Sequence, residues 1–185
     1  MNLKQGLGVL SRYLILVLLA LPNLFLFYFI FTPLTIYPVF IALKSFGAVM
    51  LSQSLINLNG VLIELIPACI AGAAYYFLLV LNLTTPMPSN KRVKSIIFLF
   101  ASFLVLNVIR ILLFTWLLLS GFQYFNLAHK ATWYFGSTLL LIIIWFANVY
   151  LFKIKEIPVY SDFMALFKET RVKRKKRLAK KKKRL

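Results

Sequence analysis

Three side chains in this sequence carry chemistry that their apolar surroundings do not call for: Cys69, Arg110 and His129. Cys69 is the only cysteine, His129 is the only histidine, and Arg110 is the one charge between residues 95 and 119. A thiolate is a nucleophile, an imidazole takes and returns a proton near neutral pH, and a guanidinium presents a planar fork of donors to a carbonyl or oxyanion. Together these are the parts of a cysteine-dependent acyl transfer. Each also has a plainer use. A cysteine in a membrane helix is a small apolar filler, a histidine at a helix end is an interfacial polar group, and an arginine near a helix end snorkels to the headgroups. An arginine deep in an apolar helix costs about 2.5–3.5 kcal/mol on insertion scales and normally faces a protein interior or a water-filled cavity. Single copies also limit the chemistry. One cysteine excludes an intrachain disulfide, and one Cys with one His cannot complete a zinc site of four protein ligands. No metal or other cofactor is expected.

The elements that position these residues are membrane helices. Hydrophobic residues make up 62% of the 185 residues, aromatics 16% and charged residues only 14%, with a mean hydropathy of +0.87. Soluble domains run at roughly 45–50% apolar and about 25% charged. The surplus lies in uninterrupted runs long enough for a hydrocarbon core of about 30 Å, which excludes an ordinary soluble domain. The expected fold is an all-α integral membrane protein of about four transmembrane helices. A short extracytoplasmic interfacial helix and a β-hairpin should precede the helix that carries Cys69.

Residues 10–31 read as the first span, at about 1.5 Å of rise per residue. A cleaved signal peptide fits less well, because its apolar core is about 7–15 residues and ends in a small-residue site that is lacking here. Pro33 and Pro38 discourage a continuing helix and bring the chain out of the membrane. Residues 39–46, with Lys44, are too short to span and read as an interfacial helix. Asn59-Gly60, set between alternating runs rich in β-branched residues, predicts a hairpin over 56–65. That hairpin must lie at the interface or against protein, because open strand edges cannot sit in lipid. Pro67 suits a first helical turn, and 67–83 forms the second span. A Pro-rich loop at 84–94 precedes a third span at 95–119, and a loop at 120–128 leads to a fourth at 129–152. The divisions are therefore 1–9, a cytoplasmic N-terminus; 10–152, the membrane-embedded domain; and 153–185, a cytoplasmic polybasic tail.

Charge orients these spans. Lys91, Arg92 and Lys94 lie in the 84–94 loop, whereas 120–128 carries no charge, so the first faces the cytoplasm and the second faces out. Lys4 and Arg12 inside complete the pattern, provided residues 39–46 do not cross; if they did, the N-terminus would lie outside. Cys69 and His129 then start their helices at the outer side, and Arg110, 15 residues above Ser95, sits roughly 22 Å from the cytoplasmic side. The three rare residues reach one depth. There the positive end of the helix dipole and a neighbouring guanidinium would favour the Cys69 thiolate.

Three segments resemble the exosortase/archaeosortase family of membrane-embedded cysteine transpeptidases. They are Ile63-Glu64-Leu65-Ile66-Pro67-Ala68-Cys69-Ile70-Ala71-Gly72, Asn107-Val108-Ile109-Arg110, and Ala128-His129. The order Cys, Arg, His is similar too, and the likeness covers roughly residues 33–152. Pro-Ala-Cys resembles the small archaeal pacearchaeosortase branch, as does Ile157-Pro158-Val159-Tyr160-Ser161-Asp162. The bacterial pattern has Cys-Ser-Gly where this chain reads Cys69-Ile70-Ala71-Gly72, which favours the archaeal branch and withdraws any role from a serine beside the cysteine. The resemblance implies Cys69, Arg110 and His129 as catalytic residues. It also implies partner proteins cleaved before a C-terminal sorting signal made of a short motif, an apolar helix and basic residues. The retained part would pass through a Cys thioester to a lipid or amine acceptor.

Two further residues are candidates for support. Glu64 accepts a hydrogen bond near the site, binds the substrate, or is simply solvated on the hairpin. Asn107, one turn before Arg110 on the same face, orients it or bonds between helices. Within the tail, residues 171–185 alone hold 11 of the 22 basic residues and most of the formal charge of +18. The tail is expected to bind anionic membrane lipid at about 1 kcal/mol per basic residue near the surface. Nucleic acid is not an expected partner, because no aromatics are interleaved with the basic run. The alternative to an enzyme is a non-enzymatic membrane carrier or assembly factor that binds an anionic substrate through Arg110.

Overall fold

The structure, a computed structural model, describes residues 3–154; the tail from residue 155 on, with the 157–162 segment, lies outside the described residues. The chain forms α1 (Leu3–Ala20), α2 (Phe25–Lys44), strands β1 (Ala48–Met50), β2 (Leu55–Leu58) and β3 (Val61–Glu64), then α3 (Pro67–Ile70), α4 (Gly72–Leu83) and α5 (Ser89–Leu119). It ends with α6 (Phe125–Ala131), a π turn (Thr132–Gly136) and α7 (Ser137–Phe152). It is mostly helical with one small sheet, and α2, α5 and the continuous helix Phe125–Leu151 are each long and apolar enough to cross a membrane.

Hydrogen bonds between helices fix their directions. Arg12 Nη1 donates to the Leu83 carbonyl at 2.9 Å and Tyr76 OH donates to Leu16 O at 3.1 Å, so α1 runs antiparallel to α4. Along α5, Ser95 meets Asn82 and Asn107 meets Cys69, which sets α5 antiparallel to α3–α4. Ser95 also meets Asn148, and Arg110 meets Ser137, so α7 runs back along α5. The result is four passes: α1–α2, α3–α4, α5, and α6–α7. The sheet caps the end that the first pass reaches.

The first pass departs from the sequence reading in three places. The expected span over 10–31 is broken at 21–24, where Asn23 and Leu24 take φ of 48° and 59°. Pro22 explains the break, since it lacks a donor and disfavours helix at Leu21. The expected exit at Pro33 and Pro38 does not occur, because both lie inside α2. A proline deletes one i to i−4 bond, but Phe31, Thr35, Ile36, Val39 and Leu43 are buried along the same helix, and neighbours hold it together across the gaps. Residues 39–46 are accordingly not a separate interfacial helix but mainly the last turns of α2.

The hairpin is where Asn59-Gly60 placed it. Both residues have positive φ, 52° and 87°, as a two-residue primed turn requires. The sheet gains a third strand, β1, in antiparallel order β1-β2-β3. Three residues are too few for a period-2 signal to announce. The loop expected at 84–94 shortens as well, for α5 begins at Ser89 and absorbs Lys91, Arg92 and Lys94. Arg92 reaches back to the carbonyls of Asn82 and Thr85 at 2.7 and 3.0 Å. A cation there completes the C-terminal end of α4, where carbonyls lack helical partners.

The core sits between α2, α4 and α5. Phe31 stacks on Tyr75 at 3.5 Å between ring centroids, and Phe100 and Phe103 meet Tyr75 edge-on at 5.7 and 4.8 Å. Outward faces are apolar as well, with Phe29, Ile97, Trp116 and Phe146 all exposed. In water such a belt would drive association, whereas lipid accepts it.

Close approach of α2 to α4 depends on Gly72. A Cβ there would lie 2.9 Å from Cε1 and Cζ of Tyr28. Gly72→Ala gains up to about 1 kcal/mol of helix propensity but overpacks this contact at about 1–3 kcal/mol, so the loss should win. Thermal unfolding of the purified protein in detergent should show a lower midpoint for Gly72→Ala, largely restored by Tyr28→Leu. A midpoint unchanged from the parent would mean that the Tyr28 ring swings clear.

Candidate functional site

The backbone just after β3 positions Cys69. Ile66 is extended (φ −72°, ψ 164°), Pro67 opens a single helical turn, and Ala71 in the left-handed region (φ 58°, ψ 44°) closes it. The expected helix over 67–83 is therefore broken at residue 71 into α3 and α4. Cys69 stands in a four-residue turn rather than at the head of a long helix, and the dipole assistance expected for its thiolate is correspondingly small. Asn107 Nδ2 donates to the Cys69 carbonyl at 2.9 Å. Asn107 is 1% exposed, and its Oδ1 has no partner among the described residues. The bond from Nδ2 anchors the Cys69 backbone to α5, the interhelical role of the two expected for Asn107.

Arg110 projects from the flank of α5 toward α7, where Nη1 donates to Ser137 Oγ at 2.7 Å. The π turn prepares that partner. Both the backbone N–H and the hydroxyl of Ser137 donate to Thr132 O, the latter at 3.3 Å, which fixes the oxygen that receives Arg110. Gly136 permits the wide turn, since a Cβ on it would lie 2.9 Å from Thr132 Cγ2. Single π turns recur at functional sites because they re-aim side chains without ending the helix. Sequence reasoning did not single out Ser137, and the Gly136-Ser137 pair within an apolar run was the available signal.

His129 lies on α6, one turn ahead of the π segment. Its ring stacks on Phe125 (5.7 Å, 9°) and meets Phe114 edge-on (5.2 Å, 85°). Aromatic contacts from two elements thus hold an otherwise exposed imidazole.

One cavity of about 450 Å³ is lined by Cys69, Arg110 and His129 together. Its walls are β3 and the turn after it (Glu64, Ile66), α5 (Phe114, Leu118), and α6 with the π turn (Lys130, Trp133). Glu64 is on the lining, whereas Asn107 stands behind Cys69. The lining is mainly apolar with a few convergent polar groups, the usual make-up of a ligand site.

Cys69 and Arg110 face the same cavity, where a guanidinium favours the charged form of a nearby thiol and burial disfavours it.

Alkylation by a neutral thiol reagent tests whether Arg110 acts on Cys69. Arg110→Gln removes a charge that favours the thiolate, so its rate–pH profile should lie at higher pH than the parent's; coincident profiles would show that the guanidinium does not act on the thiol. No protein-family model, characterised protein or solved structure matches this chain, and the chemistry of the site rests on its own residues.

Proposed function

We propose that this protein is a membrane-embedded cysteine transpeptidase of the archaeosortase/exosortase kind. It cleaves the C-terminal sorting signal of exported surface proteins and transfers the retained part to a lipid or amine acceptor. One observation carries the reading: the only cysteine, the only histidine and the mid-helix arginine, drawn from three separate elements, line one cavity. The likeness of the three segments that hold them supports it. Long apolar helices and basic groups at the opposite end support a multi-pass cell-membrane protein with the site outside and both termini in the cytoplasm.

In this mechanism His129 takes the thiol proton as Cys69 Sγ attacks the scissile carbonyl carbon. Arg110, set by Ser137, holds the oxyanion. The C–N bond breaks, His129 returns its proton to the leaving amine, and the acyl group remains as a thioester. An amine or hydroxyl of the acceptor then attacks the thioester, passing its proton through His129 to the released thiol.

In a Cys69→Ala background, an impermeant reagent applied outside should label Gln123→Cys and spare Ser89→Cys. The reverse pattern would put the cavity on the cytoplasmic side and overturn the site's placement.

Cys69→Ala and Cys69→Ser should both abolish cleavage of a co-expressed surface protein bearing such a signal, with protein levels retained, because a hydroxyl is a far weaker nucleophile. Cleavage at the parental rate in either variant would remove the enzyme reading and leave the carrier, with Arg110 holding an anionic substrate.

A further inference from the structure

Strand β3 is an open edge of the sheet, and it forms part of the cavity wall through Leu62, Ile63 and Glu64. Its hydrogen-bonding phase is fixed. Leu65 N donates to Ser54 O at 2.8 Å, and Glu64, Ile63, Leu62 and Val61 pair in turn with Leu55, Ile56, Asn57 and Leu58. In an antiparallel ladder alternate residues turn both backbone groups toward the partner strand. Leu65, Ile63 and Val61 therefore bond to β2, while the N–H and C=O of Leu62 and Glu64 point away from the sheet, with no backbone partner among the described residues.

Two donors and two acceptors, repeated every second residue along the cavity, match the backbone of one kind of ligand, an extended peptide. A lipid headgroup has no such repeat. The charge on the strand adds a second constraint. Glu64 is the only acidic residue among residues 3–154, its side chain is exposed, and the other charged groups on the lining, Arg110 and Lys130, are cationic. A side chain opposite it on an added strand would lie about 4.5–5.5 Å away, Cβ to Cβ, where opposite charges attract.

We propose that β3 docks the substrate as a fourth strand: an extended peptide segment pairs with the outward backbone of Leu62 and Glu64 and sets a Lys or Arg beside Glu64. The inference rests on the transpeptidase reading and supplies its recognition step. Five residues past Glu64 the chain reaches Cys69, so a segment held on this edge runs alongside the nucleophile.

The test uses the full chain in lipid nanodiscs with the Cys69→Ala substitution, which removes the chemistry and leaves docking to be read alone. The probes are octapeptides with acetyl and amide ends, varied among Lys, Gln and Glu at alternate positions and carrying a photoreactive diazirine. Cross-links should map to residues 61–64, with Lys favoured over Glu at one peptide position by about tenfold, and Glu64→Lys should reverse that preference. Leu62→Pro removes an outward N–H while sparing the ladder to β2, and should reduce cross-linking about tenfold. An ester in place of the peptide N–H that faces the Leu62 or Glu64 carbonyl should weaken it without altering the protein. Cross-links elsewhere, or a charge preference indifferent to Glu64→Lys, would overturn the proposal. The Cys69 thioester is scored separately in the unsubstituted chain. Cross-links at 61–64 without a thioester support strand docking and remove the transpeptidase, whereas a thioester without those cross-links overturns strand docking alone.

Discussion

A single ridge on α5 sets the register of the molecule. Ser95, Leu99, Phe103, Asn107, Ile111 and Thr115 are its buried residues, each four positions from the last. Such a row inclines across the helix surface, and neighbouring helices pack along it. Here it alternates polar fasteners with apolar spacers. Ser95 accepts from Asn82 and donates to Asn148, tying α4 and α7 to one hydroxyl. Phe103 packs on Tyr75, and Asn107 donates to the Cys69 carbonyl. Apolar faces on every side of these helices favour no one pairing over another, so contact shape and these few hydrogen bonds carry the specificity.

Two breaks in helical regularity then do what the ridge cannot. The left-handed Ala71 turns one helical turn away from α4, and the π segment at Thr132–Gly136 widens α6–α7 on the other side of α5. Each leaves a carbonyl that a side chain uses: Cys69 O receives Asn107, and Thr132 O receives Ser137. Irregular backbone in apolar surroundings is tolerated only against protein or a cavity, and both breaks lie beside residues that line the one cavity, Cys69 and Thr132. Left-handed alanine costs of order 1–3 kcal/mol, a strain held by the packing on either side.

Much of this was legible in the sequence, and the misses share a physical cause. Asn59-Gly60 announces its turn because the primed conformation needs positive φ twice, which few residue pairs supply. Span lengths alone put Cys69, Arg110 and His129 at one level, because rise per residue is nearly constant, and the three line one cavity. Proline, by contrast, misled at one end of the first pass and was overlooked at the other. Pro33 and Pro38 stay helical inside a packed wall, while Pro22, followed by Asn23, breaks the chain in the middle of an apolar run. Hydropathy cannot separate those outcomes, since only the neighbours decide whether a missing hydrogen bond ends a helix. Asn107 takes the second of its two expected roles, bonding between helices; spacing along one helix says which face a side chain shares, and not which helix approaches it.

The unbroken run of α5 through 31 residues carries a cost for sequence variation. Adding or deleting one residue between Ser95 and Asn107 would turn everything beyond it by about 100° and shift it by about 1.5 Å. Asn107 would then leave the Cys69 carbonyl, and Arg110 would leave Ser137, in one step. Substitutions can be absorbed singly along this helix, but changes of length cannot. Tolerated insertions belong instead in the 120–124 loop or at the Asn59-Gly60 tip, where the chain has ends to spare.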